Sequence, residues 1–259
     1  MSKDLLRVNN LSKHFVIKKS VFSPKITIKA VDHIDFSIQK GETLGLIGES
    51  GSGKTTTGNL ILKLLKNDDG TIVFDGIDIT DIDEVYMRKL RKDIQIIFQL
   101  TQGALDPKMT IGELIMEPLK LHKIVPEEEL STEITRLLYL VGLSEKEISK
   151  FPHQLSGGQR QRIGIARAIA SRPKFIVCDE PVSALDVSVQ GQILNLLLKL
   201  KDELDLTYLF ISHDLKVVQH MCDRIAVMHN GKIVEIGERD EIINHPKHGY
   251  TKQLVESIL

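Results

Sequence analysis

At 259 residues, with 42% hydrophobic and 27% charged side chains, the chain has material for one large globular domain or two small ones. A formal net charge of −1 gives no electrostatic footprint for nucleic acid or anionic lipid, and two cysteines, Cys178 and Cys222, form no spaced metal or disulfide framework and suit a reducing cytoplasm. No apolar run approaches the roughly 20 residues of a membrane span, and the polar start MSKDLLRVNN has no signal-peptide core, so membrane association is expected through a partner protein.

In chain order, Leu5–Val8, Lys13–Val16 and Ile34–Ile38 are β-rich runs, and Thr43–Ile47 reads as a buried strand entering a Gly-rich turn and a helix from about Lys54. Thr71–Phe74 with Asp75-Gly76 predicts a strand and turn, and Asp93–Phe98 another strand. From about Ile111 to Ile148 the pattern turns helical; Ser131 is expected to cap a helix presenting Ile134, Leu137, Leu138 and Val141 and ending at Gly142. Beyond Gly158, helix Gln159–Ser171, strand Phe175–Cys178, a helix with Val189, Ile193, Leu196, Leu197, Leu200 and Leu204 on one face, strand Tyr208–Ile211 and a short helix from Asp214 follow. Ile225–Met228, Asn230-Gly231 and Ile233–Ile236 form a strong hairpin signal. The alternation predicts an α/β fold with a largely parallel sheet covered on both faces, interrupted by a helical insertion.

Gly48-Glu49-Ser50-Gly51-Ser52-Gly53-Lys54-Thr55 is a complete P-loop pattern between the required strand and helix. Its glycines, among them Gly48, Gly51 and Gly53, allow successive N–H groups, Ser50 included, to turn toward phosphate oxygens at a helix N-terminus. Lys54 would reach the β- and γ-phosphates of ATP, Thr55 would ligate Mg2+, and Thr56 would touch the α-phosphate. The apolar strand Phe175–Cys178 ends in Asp179-Glu180, at the strand edge where such sheets bind ligands. Asp179 would hold Mg2+ through water, and Glu180 would polarise the attacking water. Cys178 is expected to be a small buried hydrophobe.

Leu155-Ser156-Gly157-Gly158-Gln159-Arg160-Gln161-Arg162 resembles the signature motif of the ABC (ATP-binding cassette) family. Its physics is again anion binding at a helix N-terminus. The resemblance implies an ABC-type P-loop ATPase core with an N-terminal antiparallel β subdomain and an inserted helical subdomain. The expected boundaries are 1–98 with 162–237 for the β subdomain and core, 99–161 for the helical subdomain and 238–259 for a C-terminal helical end. It further implies two ATPs, each held between the P-loop of one subunit and Ser156, Gly157, Gly158 and Gln159 of the other in a head-to-tail dimer. Gln99 resembles the glutamine that senses Mg2+ and the membrane partner. Ser183-Ala184-Leu185-Asp186 resembles the D-loop, and His213 resembles the switch histidine that contacts the γ-phosphate. Phe15 is the candidate for adenine stacking; a core or edge-strand role is the other reading.

Cys178–Gln190 and the ending His245–Lys252 are similar to the ATP-binding subunits of oligopeptide, dipeptide and nickel importers. The lysine-rich residues between Phe15 and Val31 are similar to the second of the paired subunits of those importers. That resemblance implies a paralogous or identical cassette, two transmembrane permease subunits, an indirect solute-binding protein outside the cytoplasm, a place on the cytoplasmic face of the membrane, and no nucleic acid. Gln99 is followed here by Leu100-Thr101-Gln102-Gly103-Ala104-Leu105-Asp106-Pro107, where the subfamily usually has Asp-Pro at once. A soluble ABC protein acting on ribosomes or DNA fits less well: there is one cassette, no heptad insert and no basic surplus. A regulator that binds but does not hydrolyse conflicts with Glu180 and His213.

Overall fold

A computed structural model describes residues 4–17, 26–98 and 105–256. Its first elements are β1 (Asp4–Ile17), β2 (Ile26–Gln39), β3 (Thr43–Ile47), α1 (Lys54–Ile61), β4 (Asp69–Phe74), β5 (Ile77–Asp78), α2 (Glu84–Leu90) and β6 (Ile94–Ile97). Then come α3 (Ile111–Leu121), α4 (Leu130–Leu140), α5 (Gly157–Ile169), β7 (Phe175–Asp179), α6 (Val187–Leu204) and β8 (Thr207–Ser212). The last are α7 (Leu215–Met221), β9 (Arg224–His229), β10 (Lys232–Glu238), α8 (Arg239–Asn244) and α9 (Gly249–Glu256). Contacts divide the chain into two compact units, Met1–Met87 with Thr207–Leu259, and Arg88–Leu206.

In the first unit an antiparallel sheet has the order β2-β1-β4-β5. The two expected runs at its start are one strand, β1, because Asn10 takes φ 50 and donates its N–H to Asp35 Oδ1 at 2.8 Å, so the register shifts there without ending the strand. The same unit carries strands in the order β10-β9-β3-β8, with β3 parallel to β8 and to β9. All five residues of β3 are buried, as a strand covered on both faces requires. The β9–β10 hairpin turns at Asn230 (φ 48) and Gly231 (φ 80), both left-handed, as a two-residue Asn-Gly connection demands.

In the second unit β6 runs parallel to β7, and Phe175, Ile176, Val177 and Cys178 are fully buried. Burial pushes the Cys178 thiol far up, so it remains a protonated, inert hydrophobe. Between 105 and 156 the described residues hold α3, α4 and short 3-10 turns with no strand, and the expected boundary at 161 falls inside α5. Ser131 is not the cap of α4. The 3-10 turn Glu127–Glu129 runs directly into the helix, leaving Ser131 inside its first turn. The far end agrees with expectation: Gly142 at φ 73 ends α4, with the Leu143 N–H donating to Leu138 O at 2.9 Å.

Candidate functional site

In the first unit the phosphate-loop motif leaves β3 at Ile47 and enters α1 at Lys54. Gly53 caps α1 at φ 111, and a Cβ there would overlap the Ala30 carbonyl, so only glycine lets the loop lie this close to β2. Lys54 is 6% exposed, and its Nζ donates to Gly48 O at 2.7 Å, Glu49 O at 2.8 Å and Ser52 Oγ at 3.4 Å. Thr55 and Ser50 are exposed and Thr56 half-buried. A buried ammonium inside a ring of loop oxygens at the start of a helix, with exposed hydroxyls alongside, fits a polyphosphate in charge and donor type. The exposed Thr55 hydroxyl is a hard oxygen donor of the kind that suits Mg2+ carried in with phosphate oxygens.

The loop is braced from two directions that residue patterns did not reveal. Gly231, at the β9–β10 turn, donates its N–H to Ser52 O at 3.0 Å while its carbonyl accepts the Asp32 N–H at 2.8 Å. Tyr250 on α9 accepts the Glu49 N–H at 3.0 Å, and its ring lies against His229 with centroids 3.9 Å apart. The Asn-Gly turn was legible as a turn and the ending around Tyr250 as a resemblance; neither signal says what it touches.

His213 is exposed and follows the last residue of β8. The parallel register pairs Ile47 with Ser212, so His213 and Gly48 leave the same edge of the same sheet. The Ser212 hydroxyl accepts the Asp214 N–H at 3.0 Å and Asp214 Oδ1 accepts the Lys216 N–H at 2.8 Å, which turns the chain sharply into α7 and leaves His213 at the corner. Phe15 lies on β1 beyond the last β1–β4 pair, Ser12 with Asp69, and faces Ile28 across β2. It is 37% exposed with Lys13 Nζ 5.8 Å from the ring centroid, which rules out a core role.

In the second unit the register of Ile97 with Cys178 sets Phe98 abreast of Asp179 at the C-terminal edge of β7. Gln99 lies outside the described residues. Asp179 and Glu180 are half-buried, and Glu180 has φ 48, a left-handed conformation that costs a non-glycine residue roughly 1–2 kcal/mol. Its carbonyl accepts the Ser183 Oγ–H at 3.1 Å, closing the turn that carries the chain to Asp186.

The same unit brings the signature segment and the D-loop segment together. Ser156 is exposed, Gly157, Gly158 and Gln159 are half-buried, and Ser156 caps α5. A Cβ on Gly158 would meet Val189 Cγ1 at 2.6 Å, and one on Gly157 would meet Leu185 Cδ2 at 3.4 Å. The start of α6 therefore packs under the start of α5. Asp186, Val187 and Ser188 are exposed, Val187 at 83%, and the Asp186 side chain makes no capping hydrogen bond. Two motif residues with no assigned role turn out to hold this arrangement. Arg162 donates to Val141 O at 2.7 Å, at the C-terminus of α4, and to Gln192 Oε1 at 3.2 Å on α6. Gln161, 1% exposed, donates to Phe98 O at 3.4 Å.

Comparison with known proteins identifies the family. Residues 31–183 match the family profile described as "ABC transporter". The oligopeptide transport ATP-binding protein OppF of Streptococcus mutans serotype c (strain ATCC 700610 / UA159) is 48% identical over 257 residues, covering 99% of this chain and 82% of that protein. AppF, of the same description, from Bacillus subtilis (strain 168) is 45% identical over 98% of this chain and 78% of its own length. The glutathione import ATP-binding protein GsiA of Escherichia coli (strain K12) is 46% identical over 98% of this chain but only 41% of its own length. Among solved structures, the post-hydrolysis dimer of the ATP-binding cassette MJ0796 bound to ADP and Pi superposes with TM-score 0.80 at 32% identity, covering 90% of this chain and 98% of that one. A nucleotide-free cassette from an ABC transporter gives TM-score 0.79 at 29% identity over 97% and 98% of the two chains. The chain belongs to the ABC transporter family, as one of its ATP-binding, ATP-hydrolysing cassettes.

Proposed function

We propose that this cassette powers import of oligopeptides or dipeptides as one half of a nucleotide-binding pair on the cytoplasmic face of the membrane, peripheral through two permease subunits. The observation that carries the motor reading is the exposed, capped start of α5 at Ser156: a second phosphate-type helix end, on the outside of its own unit, open to a neighbouring cassette. In this reading Lys54, Thr55 and Thr56 of one subunit and Ser156 to Gln159 of its partner grip one ATP. Two such sites form by two-fold reciprocity, and Asp186 lies at the seam. The partner is a paralogous or identical cassette. Near-full-length identity to two oligopeptide transport ATP-binding proteins supports the peptide class; the similar likeness to the glutathione import protein supports short peptides and related small solutes as a second reading.

Lys54 holds the β- and γ-phosphates, Glu180 takes the proton of the attacking water, and His213 steadies the γ-phosphate oxygens. Asp179, Thr55 and Gln99 would hold Mg2+, which when bound neutralises charge on the phosphate oxygens. Contacts that exist only in the closed pair shift the population toward closure, and loss of the γ-phosphate link reverses it. Closure would act on the permease through the segment around Gln99.

The test is peptide uptake and ATP turnover in proteoliposomes holding the permease, both cassettes and the external binding protein. Lys54→Ala and Ser156→Ala in this chain are expected to reduce both together. Uptake at the wild-type rate with Lys54→Ala would sink the proposal.

A further inference from the structure

One peptide group in the phosphate loop is gripped from both ends. The Gly48 carbonyl accepts the Lys54 ammonium at 2.7 Å, and the Glu49 N–H of the same peptide unit donates to the Tyr250 hydroxyl at 3.0 Å. A trans peptide is planar, with its C=O and N–H pointing in opposite directions, so two such bonds fix the orientation of the whole plane. The peptide lies just past the end of β3, where the ladder to β8 and β9 has stopped and no strand neighbour can set its rotation.

Tyr250 is itself held in place. It is 9% exposed, its ring lies on His229 of β9, and its own N–H donates to His248 Nδ1 at 3.2 Å. The segment before α9 is tied to β10 by Glu235, whose two carboxylate oxygens accept the Lys247 N–H at 2.9 Å and the His248 N–H at 3.0 Å. Ring packing alone would seat the tyrosine; the hydroxyl adds a directional contact from the C-terminal helix to the loop.

We propose that Tyr250 is a positioning residue for nucleotide binding: by holding the Glu49 N–H it keeps the Gly48–Glu49 peptide in place when Lys54 leaves the Gly48 carbonyl for a phosphate oxygen. Without that second bond the freed carbonyl can swing, and the loop must be reordered each time ATP enters. The cost falls on binding and leaves the chemical step alone. This rests on the reading of Lys54 as the phosphate ligand.

The experiment compares wild type, Tyr250→Phe and Lys54→Ala in the assembled transporter, measuring Tm, KM for ATP and kcat. Losing one neutral hydrogen bond corresponds to roughly a 3- to 10-fold effect, so Tyr250→Phe is expected to raise KM by about that factor with kcat within about twofold and Tm retained. An unchanged KM in Tyr250→Phe, with Lys54→Ala unable to bind ATP, overturns the proposal and leaves the phosphate-loop reading standing. Wild-type ATP affinity in Lys54→Ala overturns both. Amide exchange in the wild-type complex needs no variant: slow exchange of the Glu49 N–H supports the bond, and exchange at the rate of a free loop amide overturns it.

Discussion

The Ser156 hydroxyl accepts the Gln159 N–H at 3.3 Å while Gln159 Oε1 accepts the Ser156 N–H at 3.0 Å, so each residue satisfies the other at the start of α5. The cap is reciprocal, neutral and exposed, and it leaves the positive end of the helix facing outward for an anion. Ser156→Ala is expected to destabilise the chain by about 1 kcal/mol, the scale of an N-cap, and to lower ATP turnover in the assembled pair. Chemical denaturation and turnover on one preparation check both; a stability loss with full turnover would confine Ser156 to capping.

Glu180 carries two separable roles, one in its carboxylate and one in its backbone. Glu180→Gln keeps the shape and is expected to cut hydrolysis by a factor on the order of 100 or more, while ATP-dependent pairing of cassettes persists. Glu180→Gly is expected to be equally inactive yet more stable, by up to about 1 kcal/mol, because glycine accepts φ 48 without strain. Size-exclusion chromatography with ATP and thermal denaturation distinguish the two. Full turnover in Glu180→Gln would remove the carboxylate from the mechanism.

Gln161 is a buried amide whose bond to Phe98 O ties the signature helix to the end of β6. Gln161→Leu removes this part-buried 3.4 Å bond, and because Phe98 is 49% exposed its carbonyl can turn to water, so the expected cost is about 0.5–1.5 kcal/mol. The midpoint of urea denaturation should fall with the slope unchanged; an unchanged midpoint would show that Phe98 O finds another donor.

Gly53→Ala places a methyl group against the Ala30 carbonyl at φ 111. The expected result is loss of ATP binding together with a stability cost of roughly 1–3 kcal/mol, measured by calorimetry with and without nucleotide. Wild-type nucleotide affinity in this variant would mean that the loop relaxes freely.

Glu133 on α4 accepts two bonds from Arg136, at 2.7 Å each, and one from Arg172 at 3.4 Å, and the Arg136 guanidinium holds its carboxyl below the usual glutamate range. A lowered folded-state pKa stabilises the fold above the unfolded value, near about 4.3, and that stability is lost as pH falls through the folded value. Wild type should therefore exceed Glu133→Gln in stability by a constant margin above about pH 5, and the margin should shrink below about pH 4. A margin unaffected by acid would assign Glu133 to shape alone.

Local chemistry was legible wherever a motif stands between elements that the motif itself demands. Thr43–Ile47, the phosphate loop and Lys54 came out in order because strand, Gly-rich turn and helix start are each specified by neighbouring residues. The Asn230-Gly231 turn was legible because only left-handed residues close a two-residue hairpin. The cap at Ser131 misled because a capping hydroxyl is a local preference, and the acidic 3-10 turn before it had already begun the helix.

What the amino-acid order determined by itself, then, is chemistry that is close in sequence: the cradle, the paired carboxylates at a strand end, the capped signature helix. What only the tertiary structure decided is which distant residues hold that chemistry still. Tyr250 on Glu49, Gly231 on Ser52 and Gln161 on Phe98 are separated along the chain by many elements. No pattern of spacing encodes such pairs, because each exists only after sheet and helix packing has carried one hydrogen-bonding group to within about 3 Å of another.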